Sequence, residues 1–353
     1  SVDELLARRA PADGGAPRAD GDPWTSPLVR EPLDSATAIQ LFGAGQDVFE
    51  HDPFTFYRYK PGLVLHEVWP EHDGGFFEKR TNALGLREDG ELPERLDALV
   101  IATGDSHVDG LCTNAESFPN RLEAALRARH PGAAIEVLNT GVSGFSFYNY
   151  LGALERFADR RPKALIVAFY SGNDFLDVLK PWHYFNKTSP PPRTKGYWAK
   201  IDAARAVSDG AVAIAFNQLV YFQAYPDQVD VALNAATRVC AEIARQCAAR
   251  GVQLTVVHIP TGFDLGAKLE PPFDRVKAVL ELSDADLQQY HALADRLIGV
   301  LRVHGVDVID LREHFTDGIR QYYWSDLHID VRGHQKVADL LEARVDAALG
   351  LAR

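Results

Sequence analysis

At 353 residues the chain is long enough to bury a large core, and one main domain with a smaller piece is the expectation. Its 46% hydrophobic and 24% charged composition is that of a globular protein, and a formal net charge of −12 leaves no basic footprint for nucleic acid and disfavours docking on anionic membranes. No apolar run approaches the roughly 20 residues that a spanning helix needs, and no signal peptide is evident, so a cytoplasmic location is expected.

Residues 1 to about 34 are rich in Ala, Pro, Gly, Asp and Arg, which predicts a tail that is loose or laid over the surface. From Ala36 to Arg95 the character changes. Leu63 to Trp69 alternates like a strand, with Gly74 to Arg80 as its hairpin partner. This is the pattern of a small β-rich extension, whose aromatics Phe54, Phe56, Tyr57 and Tyr59 are read as packing residues. Residues 1–95 are therefore assigned to tail and extension, and 96–353 to the main domain.

From Asp97 onward predicted strands and helices alternate, the signature of a parallel sheet with helices on both faces. Leu99, Val100 and Ile101 open a buried strand that Gly104 breaks, leaving Asp105 and Ser106 at its carboxyl end, where open α/β sheets collect ligands. Ser117 caps a helix that stops at His130-Pro-Gly132. Ala134 to Leu138 is the next strand and runs into the turn Asn139-Thr-Gly-Val-Ser-Gly144. Leu151, Leu154 and Phe157 mark a second helix. Ala164 to Tyr170, apolar throughout, reads as a central parallel strand ending in Ser171-Gly-Asn-Asp174.

An aromatic-rich insertion at about 175–230 then interrupts the alternation, with Trp182, Tyr184, Phe185, Tyr197, Trp198, Tyr221, Phe222 and Tyr225. It is either a lid or substrate wall, or a cover for an exposed flank. Val231 to Arg250 is a helix closed by Gly251, and Val252 to Val257 a strand. Ser283 with Asp286 forms a capping box on a long helix, and Val306 to Ile309 is the last strand. Tyr322 to Asp330 precedes the final helix. Of the three cysteines, Cys240 and Cys247 fall two turns apart on one predicted helix, roughly 10 Å and too far for a disulfide, so reduced, packed thiols are expected.

Gly104-Asp-Ser106, Gly141-Val-Ser-Gly144, Gly172-Asn-Asp174 and Asp326-Leu-His328 all fall on the carboxyl side of this sheet. Taken together and in this order, they resemble the SGNH, or GDSL-type, hydrolase family of esterases and acyl-transferring relatives. The resemblance covers roughly Asp97 to Leu349. It implies a three-layer α/β/α fold, SGNH hydrolase-like and flavodoxin-like, around a parallel sheet of about five strands.

The chemistry needs these residue types. A serine hydroxyl is a poor nucleophile until a neighbouring base takes its proton, and an imidazole has the right basicity near neutral pH. A carboxylate two residues before the histidine holds its tautomer and stabilises the imidazolium. By the resemblance, Ser106 is the nucleophile, His328 the base and then the acid, and Asp326 the residue orienting His328. The developing oxyanion needs donors already in place. The family's donors map to the backbone N–H of Ser106, that of Gly144 (preferred to Gly141) and the side-chain amide of Asn173.

The implied activity is that of a serine esterase or acylhydrolase, cleaving an acetyl or short acyl ester, on a small molecule, sugar or natural product, without a cofactor. Asp105 is read as a loop buttress, and His107 as packing rather than a substrate contact. The family's most familiar first block has Leu where His107 stands, which clouds the substrate and leaves the chemistry intact. Other classes compete. An O-acyltransferase of the same superfamily would share the serine, histidine and aspartate. A metal-dependent phosphoesterase would use Asp105, His107, Asp326 and His328 as oxygen and nitrogen ligands. Its early D-x-H is met by Asp105-Ser-His107. Its Gly-Asn-His fails at Asp174, and its late Gly-His-x-His fails at Gln335-Lys336. An inactive carbohydrate-binding relative would keep a pocket without activity.

Overall fold

The apolar run that opens at Ala98 forms a strand, Ala98–Gly104, with every residue buried. It belongs to a computed structural model that describes residues 2, 5–6, 21–43, 47–207, 216–265, 271–316 and 321–351. The expected tail thus lies partly outside the described residues, as does part of the aromatic-rich insertion.

The extension comes first. Helix α1 (Ser35–Phe42) is capped by Asp34, whose carboxylate accepts the Thr37 N–H at 2.8 Å, and it ends at Gly43 with φ +66°. Two antiparallel hairpins follow, β1 (Phe49–Asp52) with β2 (Phe56–Tyr59), and β3 (Val64–Val68) with β4 (Phe76–Arg80). The second is the hairpin read from the alternation.

The main sheet comprises β5 (Ala98–Gly104), β6 (Ile135–Asn139), β7 (Ala164–Tyr170), β8 (Gln253–Ile259) and β9 (Asp307–Asp310), all parallel, in the order β6-β5-β7-β8-β9. In chain order the helices are α2 (Ser106–Asp109), α3 (Phe118–Arg129), α4 (Phe147–Arg156), α5 (Asp174–Asp177), α6 (Leu179–Asn186), α7 (Lys195–Val207), α8 (Asn217–Ala224), α9 (Asp227–Arg250), α10 (Pro271–Val279), α11 (Asp284–Val303) and α12 (Val331–Leu349).

The strand period of two sorts residues between two cores. Leu99 and Ile101 of β5, with Leu165 and Val167 of β7, join the core formed with α4, α9 and α11. Val100, Ala102, Ile166 and Ala168 join the core formed with α3 and α12. Each fully buried Leu, Ile or Val contributes about 1.5–3 kcal/mol. The result is the three-layer α/β/α fold expected.

Most of the insertion's named rings are interior: Trp182, Tyr184, Phe185, Tyr197, Tyr221 and Phe222 are buried, Tyr225 is half-buried, and Trp198 is 43% exposed. Cys112, Cys240 and Cys247 are free and buried, with the latter two on α9.

The strand order fixes where a site can form. After β5 the chain steps outward to β6, then back across β5 to β7, so the β5/β7 boundary is the topological switch point. Ligand crevices open at the carboxyl ends of the strands flanking such a point. Ser106 follows β5 and Asn173 follows β7.

Candidate functional site

Ser106 starts α2, immediately after β5. Asp105 caps this short helix by accepting the His107 N–H at 2.9 Å, which is the buttress expected of it. Gly104 has no alternative: a Cβ there would come 2.2 Å from Val108 Cγ2 and 2.6 Å from the Ala168 carbonyl oxygen. The strand can therefore turn into α2 tightly enough to bring Ser106 to the sheet edge.

His328 arrives on a loop closed by a bridge between Tyr323 and Ile329 and by the Trp324 N–H donating to the His328 carbonyl at 2.8 Å. Between Asp326 and His328, Leu327 adopts a left-handed φ of +73° although it is not glycine. That conformation costs about 1–3 kcal/mol, and the buried Leu327 side chain holds it in place. The outcome is a short chain of hydrogen bonds: Ser106 Oγ lies 2.8 Å from His328 Nε2, and His328 Nδ1 lies 2.7 Å from Asp326 Oδ2. Asp326 Oδ1 also accepts the His328 backbone N–H at 3.0 Å, which fixes the two residues as a unit.

Electrostatics sharpen this arrangement. Burial works to lower the basicity of His328, but the bond and charge of Asp326 outweigh it and hold the imidazole above its ordinary pKa of 6.5. Burial likewise pushes Asp326 up, and the His328 contacts reverse the sign and leave it below the usual carboxylate range. His107 sits 1% exposed against Tyr170 and His328, so it packs and makes no surface contact. Burial pushes Asp105 up to about 7.

The backbone N–H groups of Ser106 and Gly144 meet no acceptor among the described residues. Gly141 differs, because its N–H donates to Asn139 Oδ1 at 3.1 Å. It is also pressed on α2, where a Cβ would lie 2.5 Å from the Asp109 nitrogen. Gly144 is exposed, with φ +80°. Asn173 directs its amide at Asp177, donating one N–H at 3.0 Å and keeping the second. The first block meets the fourth through Ser106 and His328 and the second through the Val142 N–H on the Gly104 carbonyl at 3.3 Å, while the third follows β7, the strand paired with β5.

Some residues here carry no sequence signal. Asp109, on α2 and fully buried, accepts the Tyr59 hydroxyl at 3.0 Å and the Lys79 ammonium at 2.9 Å, while the Arg87 guanidinium stands 3.6 Å away. Glu71, in the turn of the second hairpin, accepts the Ser325 N–H at 3.1 Å beside Asp326. His72 packs on Trp324 at 6.2 Å. The extension therefore grips both the helix of Ser106 and the loop of His328. Asp177 alone was findable, since it stands four residues after Asn173 on a helical turn. Among the described residues no group of three or more His, Cys, Asp or Glu is arranged to hold a metal ion. Both ring nitrogens of His328 are engaged by Ser106 and Asp326.

The family model of GDSL-like lipases and acylhydrolases matches residues 102–336. The chain belongs to this family. As a GDSL-like hydrolase it is a carboxylic ester hydrolase, and a catalytic triad and oxyanion hole are typical of its relatives. The matched segment begins inside β5, after the extension. Against the curated proteins the sequence finds no match.

Three solved structures resemble it distantly. LAE5, an α/β hydrolase enzyme from the metagenome of Lake Arreo in Spain, is 17% identical, covers 74% of this chain and 100% of its own, and has a TM-score of 0.40. A catalytic mutant of Axe2, an acetylxylan esterase from Geobacillus stearothermophilus, is 14% identical over 73% of this chain and 96% of its own, with a TM-score of 0.38. A two-domain esterase active on acetylated mannans is 13% identical over 72% of this chain and 50% of its own, with a TM-score of 0.37. Scores this low carry no argument about function. No helix among the described residues is long and apolar enough to cross a membrane.

Proposed function

We propose that this GDSL-like hydrolase is a serine esterase that removes an acetyl or short acyl group from a carboxylic ester through a Ser106 acyl-enzyme. The observation that carries the reading is the unbroken chain from Ser106 Oγ through His328 to Asp326, at 2.8 and 2.7 Å. Ser106 Oγ attacks the ester carbonyl as its proton passes to His328 Nε2. Asp326 keeps the Nδ1 proton in place and stabilises the imidazolium. The oxyanion takes hydrogen bonds from the N–H groups of Ser106 and Gly144 and from the second amide proton of Asn173. The intermediate collapses as His328 returns its proton to the leaving alcohol. Water, activated by His328, then attacks the acyl-enzyme and releases the acid and free Ser106.

The test is hydrolysis of p-nitrophenyl acetate by the wild type and by Ser106→Ala, with and without EDTA. A rate lost in Ser106→Ala and indifferent to EDTA is the expected result. Full activity in the variant would remove Ser106 from its role, and loss in EDTA would turn the reading toward a metal ligand set. Adding an alcohol acceptor to the same assay measures how far the acyl-enzyme partitions to transfer.

A further inference from the structure

Tyr57 comes from the first hairpin, outside the segment that defines the family, yet its hydroxyl reaches the turn of Gly144. It donates to the Ser143 carbonyl oxygen at 3.1 Å, across 86 positions of sequence. The carbonyl of Ser143 and the N–H of Gly144 belong to one planar trans peptide, so they point in opposite directions. Whatever fixes one aims the other. The Phe145 N–H donates to the Val142 carbonyl at 3.0 Å and closes a β-turn around Ser143 and Gly144, but such a bond is common to turns whose central peptide faces either way; both residues are exposed, and Gly144 occupies the left-handed region at φ +80°, which glycine enters and leaves freely. A Cβ on Gly144 would lie 3.1 Å from the Tyr57 hydroxyl oxygen, so the bare backbone also admits this close approach.

Tyr57 itself is firmly placed. It is 4% exposed and packs edge-on against Phe145 at 5.0 Å, with Phe49 at 5.3 Å and Phe42 at 5.6 Å around it. Burial, reinforced by the charges of Asp177 and Asp105, raises its phenol well above the ordinary value, so it remains a donor at every working pH. The charges that face it are those of Asp105, beside Ser106, and of Asp177 on α5.

We propose that Tyr57 is a positioning residue of the oxyanion hole, its hydroxyl locking the Ser143–Gly144 peptide so that the Gly144 N–H faces the substrate oxygen. The bond to the carbonyl also polarises the same peptide and strengthens its N–H as a donor. This inference rests on the serine-esterase reading above and deepens it, because it assigns the first hairpin a part in stabilising the transition state. Tyr57 touches no reacting atom. It acts through Gly144.

The experiment compares Tyr57→Phe, which keeps the ring and removes only the hydroxyl, with Phe49→Leu, which disturbs the same packing and leaves the hydroxyl. Both are assayed on p-nitrophenyl acetate and titrated with methylboronic acid, whose tetrahedral adduct on serine carries an oxygen in the oxyanion position. Losing a whole oxyanion donor costs about 10²–10³ in kcat, and freeing its orientation forfeits part of that, about tenfold. Tyr57→Phe is expected to lose that factor in kcat and a similar factor in boronate affinity, with KM and Tm close to wild type. Phe49→Leu is expected to change kcat less than twofold. Wild-type kcat and boronate affinity in Tyr57→Phe would overturn the inference, as would an equal kcat loss in Phe49→Leu. Ser106→Ala separates the two levels: if it stays active the esterase reading fails, and if it is dead while Tyr57→Phe is normal only the role of Tyr57 fails.

Discussion

His107 stacks on His328, with ring centroids 4.8 Å apart and 29° between the planes. The two imidazoles behave oppositely. Burial, with the charge of His328 beside it, drives His107 well below its ordinary pKa, so the ring stays neutral. Its Nδ1 accepts the Ile329 N–H at 3.3 Å, one residue beyond His328. A neutral plate against the imidazolium adds no repulsion when His328 takes the serine proton. His107→Phe preserves the stack and orphans the Ile329 N–H, which costs about 1–3 kcal/mol. Urea denaturation is expected to register that loss, with activity falling less than stability.

The pH profile follows from His328. Attack needs the neutral imidazole, so activity is lost as pH falls through a pKa that Asp326 holds above 6.5. The acid limb of kcat/KM, which reports the free enzyme, is expected above pH 6.5. In Asp326→Asn the charge is gone and burial dominates, so the limb moves to lower pH, and the amide N–H facing Nδ1 favours the wrong tautomer. The plateau falls with it, by about 10³–10⁴ in kcat.

Asn173 and Asp177 separate donating from aiming. Asn173→Ala removes the proposed oxyanion donor and is expected to lower kcat by about 10²–10³. Asp177→Asn keeps the donor and weakens its tether at 3.0 Å, so a smaller loss in kcat at constant KM is expected. Equal losses in the two variants would mean that Asp177 does more than hold the amide.

Gly141→Ala probes the floor of the site. The added methyl would meet the Asp109 nitrogen at 2.5 Å and Val108 Cβ at 2.7 Å. Overpacking of this kind costs about 1–3 kcal/mol, which denaturant midpoints resolve. Because the strain falls on α2, the loss of esterase rate is expected to exceed that from an equally destabilising change on α12.

The thiols give a check independent of catalysis. Burial pushes Cys112, Cys240 and Cys247 up to about 12, so they carry almost no thiolate at neutral pH. Ellman's reagent is expected to find none of them in the folded enzyme and all three after denaturation.

Much of this architecture could be read from residue order, because its signals are local. β5 and β7 announce themselves as apolar runs, and the blocks of Ser106, Gly144, Asn173 and His328 each follow directly from a strand or loop boundary. Tyr57, Glu71 and Lys79 could not be read so. Their partners are set by how a hairpin docks on a finished sheet, and nothing in spacing or periodicity encodes that. Tyr57 looked like one packing aromatic among several, and it does pack; its hydroxyl has a second partner that only the fold supplies. The insertion left two readings open because aromatic composition is the same for a lid and for a buried flank. Trp182 and Tyr221 are buried in the fold, and Trp198 lies exposed.

The reach of the site along the chain sets an order in time. Ser106 and His328 are 222 positions apart, and Glu71 meets Ser325 across 254. Contacts this distant close large loops, and closing them is the slow part of folding. During synthesis the serine leaves the ribosome long before its base exists, with both hairpins already made and nothing yet for Glu71 to hold. In a refolding experiment the helical signal should therefore recover first and esterase activity last, as the final loop swings into place between sheet and hairpin. A site that joins two stretches 222 positions apart forms only once the later of them has been made.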